Sequence, residues 1–341
     1  MSTKPSILLI YTGGTIGMIK DYETGALKAF DFDQLLQNIP ELRLLDCDIS
    51  TSSFETPIDS SNMNPEYWNE LCDLISTNFD AYQGFVVLHG SDTMSYTASA
   101  ISFMLENLNK PVIFTGSQLP IGDLRTDAKE NLITAIQIAA LQKRNKPVIQ
   151  EVCLYFEYKL YRANRTSKVS AEHFEAFDSP NYPPLITSGV HLSVHEELLF
   201  KPSRKSFKVH QNLVTDVLLL KMYPGIPKSL VLAMLAIKEI KGIVLETYGS
   251  GNTTTEMWFL EALKTVIKSG VPVVNVTQCI AGSVQMGNYE TSVGLKKAGV
   301  ISGRDITVEA AVAKMMYLLG QNLGPKVFKS VYETPLRGEL T

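Results

Sequence analysis

The sequence predicts an α/β protein with a larger N-terminal parallel-sheet domain and a smaller C-terminal α/β domain. Three observations predict this class. Short buried strands alternate with helical segments, a charged segment interrupts the alternation near residue 200, and the alternation then resumes. Parallel strands need a crossover that is usually a helix, so this alternation is typical of a parallel sheet. We predict an N-terminal domain of residues 1–192, a linker of residues 193–213 and a C-terminal domain of residues 214–341.

The elements of the first domain follow from its hydrophobic pattern. Short apolar runs that are rich in β-branched residues and bounded by turn residues predict strands. Apolar side chains that recur at helical spacing predict helices over residues 94–108 and 132–139. The predicted strands are Ile7–Tyr11, Phe85–His89, Pro111–Thr115 and Glu151–Glu157.

The second domain repeats the alternation after a segment of different character. Residues 193–213 are charged and lack a sustained period, which is typical of a linker. Beyond them, the pattern predicts three strands and three helices. The strands are Val217–Met222, Gly242–Tyr248 and Val271–Thr277; the helices start near Pro227, span Thr255–Ser269 and run from about Val308 to Leu319.

The composition excludes several classes of protein. The chain has 341 residues, 45% of them hydrophobic and 19% charged, which is ordinary for a soluble globular protein. Its net charge of −4, without a long run of one sign, predicts no nucleic-acid surface. No stretch approaches the roughly 18 apolar residues that span a bilayer, so we expect no membrane segment.

The cysteine and histidine residues show no pattern of metal ligation. The four cysteines are scattered without a CxxC pair, and the five histidines form no HExxH arrangement. We therefore expect free thiols, a reducing cytoplasmic location, and neither a metal ion nor another cofactor.

A glycine-rich loop, Thr12–Gly17, follows the first predicted strand. In open parallel sheets, ligands bind beyond the carboxyl ends of the strands, so such loops are candidate sites. The loop does not match the GxGxxG dinucleotide fingerprint, and no GxxxxGK[ST] phosphate loop occurs. Two interpretations stay open at this point: Thr15 is a hydroxyl nucleophile on a tight loop, or the segment is an ordinary turn.

A second polar loop, His89–Met94, follows the second predicted strand. One interpretation is helix capping, in which Ser91 or Asp92 bonds the first N–H groups of the next helix. The other makes Ser91 and Asp92 catalytic or binding groups at the positive end of the helix dipole.

Three further segments carry polar side chains. The loop Asp59–Met63 precedes a helix near Pro65, where free N–H groups and hydroxyls suit a carboxylate or simply cap the helix. Thr115–Gln118 follows another strand at the same sheet edge. Lys168 ends the segment Arg162–Lys168, which by itself predicts a solvated basic loop.

Taken together, these segments resemble the bacterial-type L-asparaginase family, in the same order along the chain. TGGTIG lies near the N-terminus, followed by DSSNM, HGSDTM, TGSQLP and a lysine; the likeness continues through YGSGN to LRGEL at the C-terminus. YTGGTIGM and LRGELT look most like the cytoplasmic type I branch. The resemblance implies an asparagine amidohydrolase and a tetramer of tight dimers.

The resemblance also implies roles for individual residues. Thr15 matches the threonine that attacks the amide carbonyl, and Asp92 matches the residue that binds the substrate ammonium. Ser91 stands where the family usually has a second catalytic threonine, and Lys168 matches its lysine partner. The implied substrate contacts are Ser60, Ser61, Gly90, Ser91, Asp92 and Ser117, with Asn252 offered by a neighbouring subunit.

Two departures from the family pattern stand out. Ser91 lacks the β-methyl group that restricts the χ1 angle of threonine. The family's flexible-loop tyrosine has no clear match: Tyr22 is a candidate, but Gly25-Ala26 occupies the aligned position.

The resemblance leaves the substrate and the regulation open. A glutaminase–asparaginase, an amidotransferase subunit acting on charged tRNA and an amino-acid sensor are alternatives. The acidic net charge disfavours the tRNA enzyme, and the four catalytic matches disfavour the sensor. Some type I members also have a second asparagine site that uses an arginine. Glu246 stands there in this chain. It either repels the effector carboxylate, or pairs with a nearby lysine or arginine, which leaves regulation open. We predict that the protein lacks asparagine cooperativity of this kind.

Overall fold

The computed structural model places the chain in two compact units. Unit 1 is Met1–Val209 and unit 2 is His210–Thr341, so the boundary falls inside residues 193–213. The structure describes residues 4–20, 27–29, 39–201, 204–287 and 290–341.

Within the described residues, unit 1 is built on a sheet of eight strands in the order β8-β7-β6-β5-β4-β3-β1-β2. The strands β1 to β5 pair in parallel, and β6, β7 and β8 extend the sheet in antiparallel fashion. The predicted parallel α/β class is therefore confirmed. The bounds are β1 Ser6–Gly13, β2 Asp48–Ile58, β3 Gly84–Leu88, β4 Val112–Thr115, β5 Val152–Phe156, β6 Lys159–Arg162, β7 Ile186–Ser188 and β8 Leu192–Val194.

The order of the parallel strands, β2-β1-β3-β4-β5, contains a topological switch point. The chain moves from β1 outward to β2, then returns to the other side of β1 to form β3. The chain therefore leaves β1 and β3 toward opposite sides of the sheet, and open α/β sheets bind their ligands at such a switch point. The strands β3, β4 and β5 are buried along their whole length, because helices cover both faces of a parallel sheet.

The first helix of unit 1 starts at a local sequence signal. The helix α1 spans Pro65–Thr77, and the Asn64 side chain accepts the Glu66 N–H at 2.8 Å, with proline in the first turn. The helix predicted over residues 94–108 is α2, Met94–Met104; it ends earlier because Leu105–Glu106 pairs as a strand with Lys208–Val209. The helix predicted over residues 132–139 is α3, Ala128–Ala139, which starts one turn earlier.

Short elements complete unit 1. The described two-stranded pairs are Met18–Lys20 with Leu27–Ala29, Leu105–Glu106 with Lys208–Val209, Gln142–Lys143 with Lys146–Pro147, and Ser167–Lys168 with Phe177–Asp178. The short 3-10 helices are Thr15–Gly17, Pro40–Leu44, Ser60–Asn62, Ser91–Thr93, Ala163–Arg165 and Glu196–Leu198.

Unit 2 has its own sheet, with four described strands that all pair in parallel in the order β9-β10-β11-β12. Its core lies between this sheet and the flanking helices. The strands are β9 Val217–Lys221, β10 Gly242–Thr247, β11 Val273–Thr277 and β12 Ile301–Ser302; the helices are α4 Lys228–Leu235, α5 Met257–Lys268, α6 Glu290–Ala298, α7 Val308–Gly320 and α8 Pro325–Tyr332.

A fully buried ion pair joins α7 to the C-terminal segment of unit 2. The Lys314 ammonium donates to the Glu339 carboxylate and to the carbonyls of Tyr332, at 2.7 Å, and Thr334, at 2.8 Å. We expect Lys314→Met to lower the free energy of unfolding by about 3–5 kcal/mol, because it leaves a buried carboxylate without its counter-ion. Urea denaturation measures the loss, with Lys326→Met on an exposed position as the control; a loss below about 1 kcal/mol would contradict it.

Candidate active site

Three loops that follow adjacent parallel strands meet at the switch point. The segment Thr12–Gly17 begins with the last two residues of β1 and continues beyond it, His89–Thr93 follows β3, and Gly116–Gln118 follows β4. The Thr12 hydroxyl donates to the Leu88 carbonyl at 3.0 Å, which ties the end of β1 to the end of β3. Since β1, β3 and β4 are neighbours, their carboxyl ends bring the predicted site loops to one sheet edge.

Two glycines allow these loops to touch through their backbones. A Cβ atom on Gly14 would lie 2.5 Å from the Gly90 Cα, and one on Gly90 would lie 2.5 Å from the Ser60 Oγ. Gly14 also has a φ of +90°, which side chains rarely adopt. The glycines of the sequence motifs are therefore required by close contact between the Thr12–Gly17, His89–Thr93 and Ser60 segments.

The capping interpretation of Ser91 and Asp92 is wrong. Neither side chain caps the 3-10 helix Ser91–Thr93 or α2, whose N-cap residue is Thr93 without a side-chain capping bond. Thr93 instead donates its hydroxyl to the Ser60 carbonyl at 2.7 Å. The polar side chains of this loop are thus available for contacts beyond the helix, and two of them face Lys168.

Lys168 lies at the centre of a three-residue contact. Its Nζ donates to the Ser91 Oγ at 2.9 Å and to the Asp92 Oδ1 at 2.7 Å. The short strand Ser167–Lys168, paired with Phe177–Asp178, carries it to this position. The expectation of a solvated basic loop is wrong, because the Lys168 side chain is only 18% exposed and the Arg162 guanidinium is buried against Glu151 at 2.6 Å.

Thr15 begins a 3-10 turn at the carboxyl end of β1 and is half-buried. The turn is closed by the Gly17 N–H, which donates to the Gly14 carbonyl at 3.2 Å. The Tyr11 hydroxyl donates to the same carbonyl at 3.3 Å, and burial raises the pKa of Tyr11 to about 12, so this donor keeps its proton at neutral pH. The backbone around Thr15 is therefore held without the help of the Thr15 hydroxyl.

The predicted carboxylate contacts occupy a second short helix, Ser60–Asn62. Ser60 is buried and Ser61 is exposed. The expectation of a free N–H group is wrong for Ser61, because the Asp59 side chain accepts its N–H at 2.8 Å, and hydrogen bonds from Ser61 lower the pKa of Asp59. Asp59 therefore holds Ser61 at the start of this short helix.

The third loop is held by residues that sequence reasoning missed. The Asp127 carboxylate accepts the Gln118 N–H at 2.9 Å and the Leu119 N–H at 3.1 Å. Asn131 donates to the Gly116 carbonyl at 3.0 Å, and the Ser117 hydroxyl donates to the Leu119 carbonyl at 2.6 Å. Asp127 lies outside the motif, so only the folded chain shows this contact.

Gln118 is a further missed residue, and it touches the predicted site directly. Its Oε1 accepts the Ser91 hydroxyl at 3.2 Å. The sequence feature that could have identified Gln118 is its position in TGSQ, immediately after Ser117, which is a predicted substrate contact.

The remaining predicted residues lie elsewhere. Asn252 belongs to unit 2, in a tight turn in which its N–H donates to the Tyr248 carbonyl at 2.8 Å. Tyr22, Gly25 and Ala26 lie outside the described residues. Within the described ranges, no three His, Cys, Asp or Glu side chains lie close enough to hold a metal ion. No helix in the part of the chain that the structure describes could cross a membrane.

The fold and these contacts define an α/β protein with hydroxyl, lysine and carboxylate groups gathered at a switch point. Residues 6–200 match the family model of the asparaginase N-terminal domain, and residues 216–331 match that of the glutaminase/asparaginase C-terminal domain. The chain belongs to the asparaginase family, which confirms the resemblance found in the sequence.

Similar proteins cover the whole chain. It is 42% identical to L-asparaginase 1 of Escherichia coli K12, over 99% of this chain and 98% of that protein. It is 41% identical to the 60 kDa lysophospholipase of Mus musculus, over 100% of this chain but 63% of that protein. The crystal structure of L-asparaginase I from Vibrio cholerae matches with a TM-score of 0.90 and 42% identity, covering 99% of this chain and 100% of that one.

Proposed function

We propose that this protein is an L-asparaginase, which hydrolyses the side-chain amide of L-asparagine to L-aspartate and ammonia. The observation that carries the proposal is the contact of the Lys168 Nζ with both Ser91 and Asp92 at the switch point. In a member of the asparaginase family, this contact joins the predicted proton-transfer pair to the predicted ammonium-binding carboxylate.

The proposed reaction has two steps. The Thr15 hydroxyl attacks the amide carbon, and backbone N–H groups of the surrounding loops stabilise the oxyanion. The C–N bond breaks, ammonia leaves with the transferred proton, and an ester to Thr15 remains. Water then attacks the ester, aspartate leaves, and Thr15 regains its proton. Ser91 and Lys168 transfer the protons.

Substrate recognition follows from the remaining groups. The carboxylate of Asp92, with a side chain that is 62% exposed, is available to the substrate ammonium. The hydroxyls of Ser60 and Ser61 face the α-carboxylate in this scheme, and Gly90 and Ser117 line the reacting end. Asn252 completes the site from a neighbouring subunit.

An ammonia-release assay with asparagine and glutamine tests the function. We expect release from asparagine, with kcat/KM well above that for glutamine. Similar values for the two substrates would make the protein a glutaminase–asparaginase. Turnover only with a tRNA-linked amide would assign it to the amidotransferases, and binding of asparagine without ammonia release would assign it to the sensors.

We propose that the protein is a homo-oligomer, with a dimer of dimers as the expected form. Exposed apolar side chains on and beside α4 support this proposal, since they gain free energy when a partner covers them. They are Leu230 at 44%, Leu232 at 38% and Ile237 at 48% exposure. Sedimentation velocity is expected to give a tetramer; a monomer at micromolar concentration would remove the proposed role of Asn252.

We propose a cytoplasmic location. All four cysteines are free, and Cys47, Cys72 and Cys153 are buried, which suits a reducing compartment. Fractionation of cells that express the full-length protein tests this.

Glu246 underlies a prediction about regulation. The Lys221 Nζ lies 2.8 Å from the Glu246 Oε1, so the alternative in which Glu246 pairs with a lysine is the observed one. The Glu246 carboxylate is nearly buried. A carboxylate only accepts hydrogen bonds, so it cannot bind the carboxylate of an effector as an arginine does. We expect initial rate against asparagine concentration to be hyperbolic, with a Hill coefficient near one.

Two variants check the regulatory prediction. Glu246→Ala and Lys221→Met are both expected to keep the hyperbolic curve, because neither residue takes part in effector binding. A sigmoidal curve that survives Glu246→Ala would place an effector site elsewhere and refute the argument.

A further inference from the structure

Gln118 bridges the loop that contains Ser91 and the segment that contains His173. Its Oε1 lies 3.2 Å from the Ser91 Oγ, and its Nε2 lies 3.1 Å from the His173 carbonyl oxygen. A carbonyl oxygen only accepts hydrogen bonds, so the end of the amide that faces His173 is the NH₂ group. The end that faces Ser91 is therefore an acceptor.

The direction of the Ser91 hydroxyl follows from this orientation. Gln118 accepts on one side of Ser91, so the hydroxyl proton points to Gln118. On the other side, the Lys168 Nζ donates to the Ser91 Oγ at 2.9 Å. The hydroxyl is thus held between one donor and one acceptor, which restrains the position of the Ser91 Oγ.

The backbone of Gln118 is also held by a hydrogen bond. The buried Asp127 carboxylate accepts the Gln118 N–H through both of its oxygens, at 3.1 Å and 2.9 Å. With the backbone tied to Asp127 and the side-chain amide tied to His173, Gln118 presents its Oε1 at a defined point.

This arrangement matters because residue 91 is a serine. Threonine has a β-methyl group that restricts χ1, whereas serine relies on its surroundings to keep one rotamer. We propose that Gln118 is a positioning residue that holds the Ser91 hydroxyl in its reactive place, supplying the restraint that a threonine would carry in its own side chain. The proposal rests on the proposed function of Ser91.

The test is a pair of double-mutant cycles on the full-length protein, with kcat for asparagine hydrolysis as the readout. Gln118→Leu alone is expected to lower kcat about 10- to 100-fold, since small misplacements of reacting groups have effects of this size. In a Ser91→Thr background, the same change is expected to lower kcat less than about 3-fold, because the β-methyl group already fixes χ1.

A second background separates positioning from a general structural role. With Ser91→Ala there is no hydroxyl to hold, so adding Gln118→Leu is expected to leave the residual kcat unchanged. If Gln118→Leu lowers kcat by the same factor in the wild-type, Ser91→Thr and Ser91→Ala backgrounds, the proposal is overturned. Gln137→Leu, on the exposed side of α3, is the matched control for replacing glutamine by leucine.

The two possible failures are distinguishable. If the wild-type protein releases no ammonia from asparagine, the proposed function fails. If it does so and Thr15→Ala abolishes release, while Gln118→Leu keeps full kcat, the proposed function stands and the role of Gln118 fails.

Discussion

Thr15→Ala is expected to lower kcat for asparagine hydrolysis by about three orders of magnitude or more, because it removes the proposed nucleophile. No neighbouring hydroxyl replaces it on the same loop: Thr12 is buried and donates to the Leu88 carbonyl. The residual rate is expected to come from substrate binding and from the oxyanion donors, which the substitution leaves in place.

The fold of this variant is expected to be intact. Thr15 is half-buried, and its turn is held by the Gly17 N–H and the Tyr11 hydroxyl, both of which bond the Gly14 carbonyl. Steady-state kinetics measure kcat, and thermal denaturation is expected to show the wild-type transition. Thr15→Ser is the matched variant, because it keeps a hydroxyl and should keep part of the activity. Near-wild-type turnover by Thr15→Ala would refute the assignment of the nucleophile.

The central sheet could be predicted because its strands are buried on both faces. Segments such as Phe85–His89 and Pro111–Thr115 are continuous apolar runs, and they correspond to β3 and β4 within one residue at each end. A strand that is buried on both faces shows in the sequence by composition alone. The same holds for β10 and β11 in unit 2.

The edges of the sheet could not be predicted in this way. The strand β2, Asp48–Ile58, is rich in serine, threonine and acidic residues, and most of its side chains are not buried. Its pairing with β1 depends on backbone hydrogen bonds, which leave little trace in the sequence. The strand β8, Leu192–Val194, lies partly in the predicted linker because three residues are too few to show alternation.

The chemistry of the site was predicted only where a motif carried it. Ser91 and Asp92 follow a strand, and sequence alone left capping and catalysis open. The lack of a side-chain capping bond at the 3-10 helix Ser91–Thr93 and at α2 decides against capping. Gln118 and Asp127 were missed because their roles depend on hydrogen bonds to other loops that form only in the folded chain. Nothing in the local sequence of Asp127 shows that its carboxylate accepts the N–H groups of a strand-end loop.

Ser91→Ala and Lys168→Met are expected to lower kcat by similar factors, and the double variant is expected to be little worse than either single one. The Lys168 Nζ lies 2.9 Å from the Ser91 Oγ, so the two side chains act as one proton-transfer unit. Groups that act as a unit are strongly non-additive, and each single loss is expected to reach several hundred-fold or more, on the order of other catalytic knockouts.

The free energy of unfolding of the Ser91 and Lys168 variants separates a catalytic effect from a structural one. The Asp92 side chain is 62% exposed, so water solvates its carboxylate when Lys168 is replaced, and the free energy of unfolding should change by less than about 1 kcal/mol. Lys143→Met is the matched control: Lys143 also pairs with a carboxylate, that of Glu196 at 2.6 Å, but outside the site, and its replacement should leave kcat unchanged. If the losses of Ser91→Ala and Lys168→Met multiply in the double variant, the two residues act independently, and Lys168 is not the proton-transfer partner of Ser91.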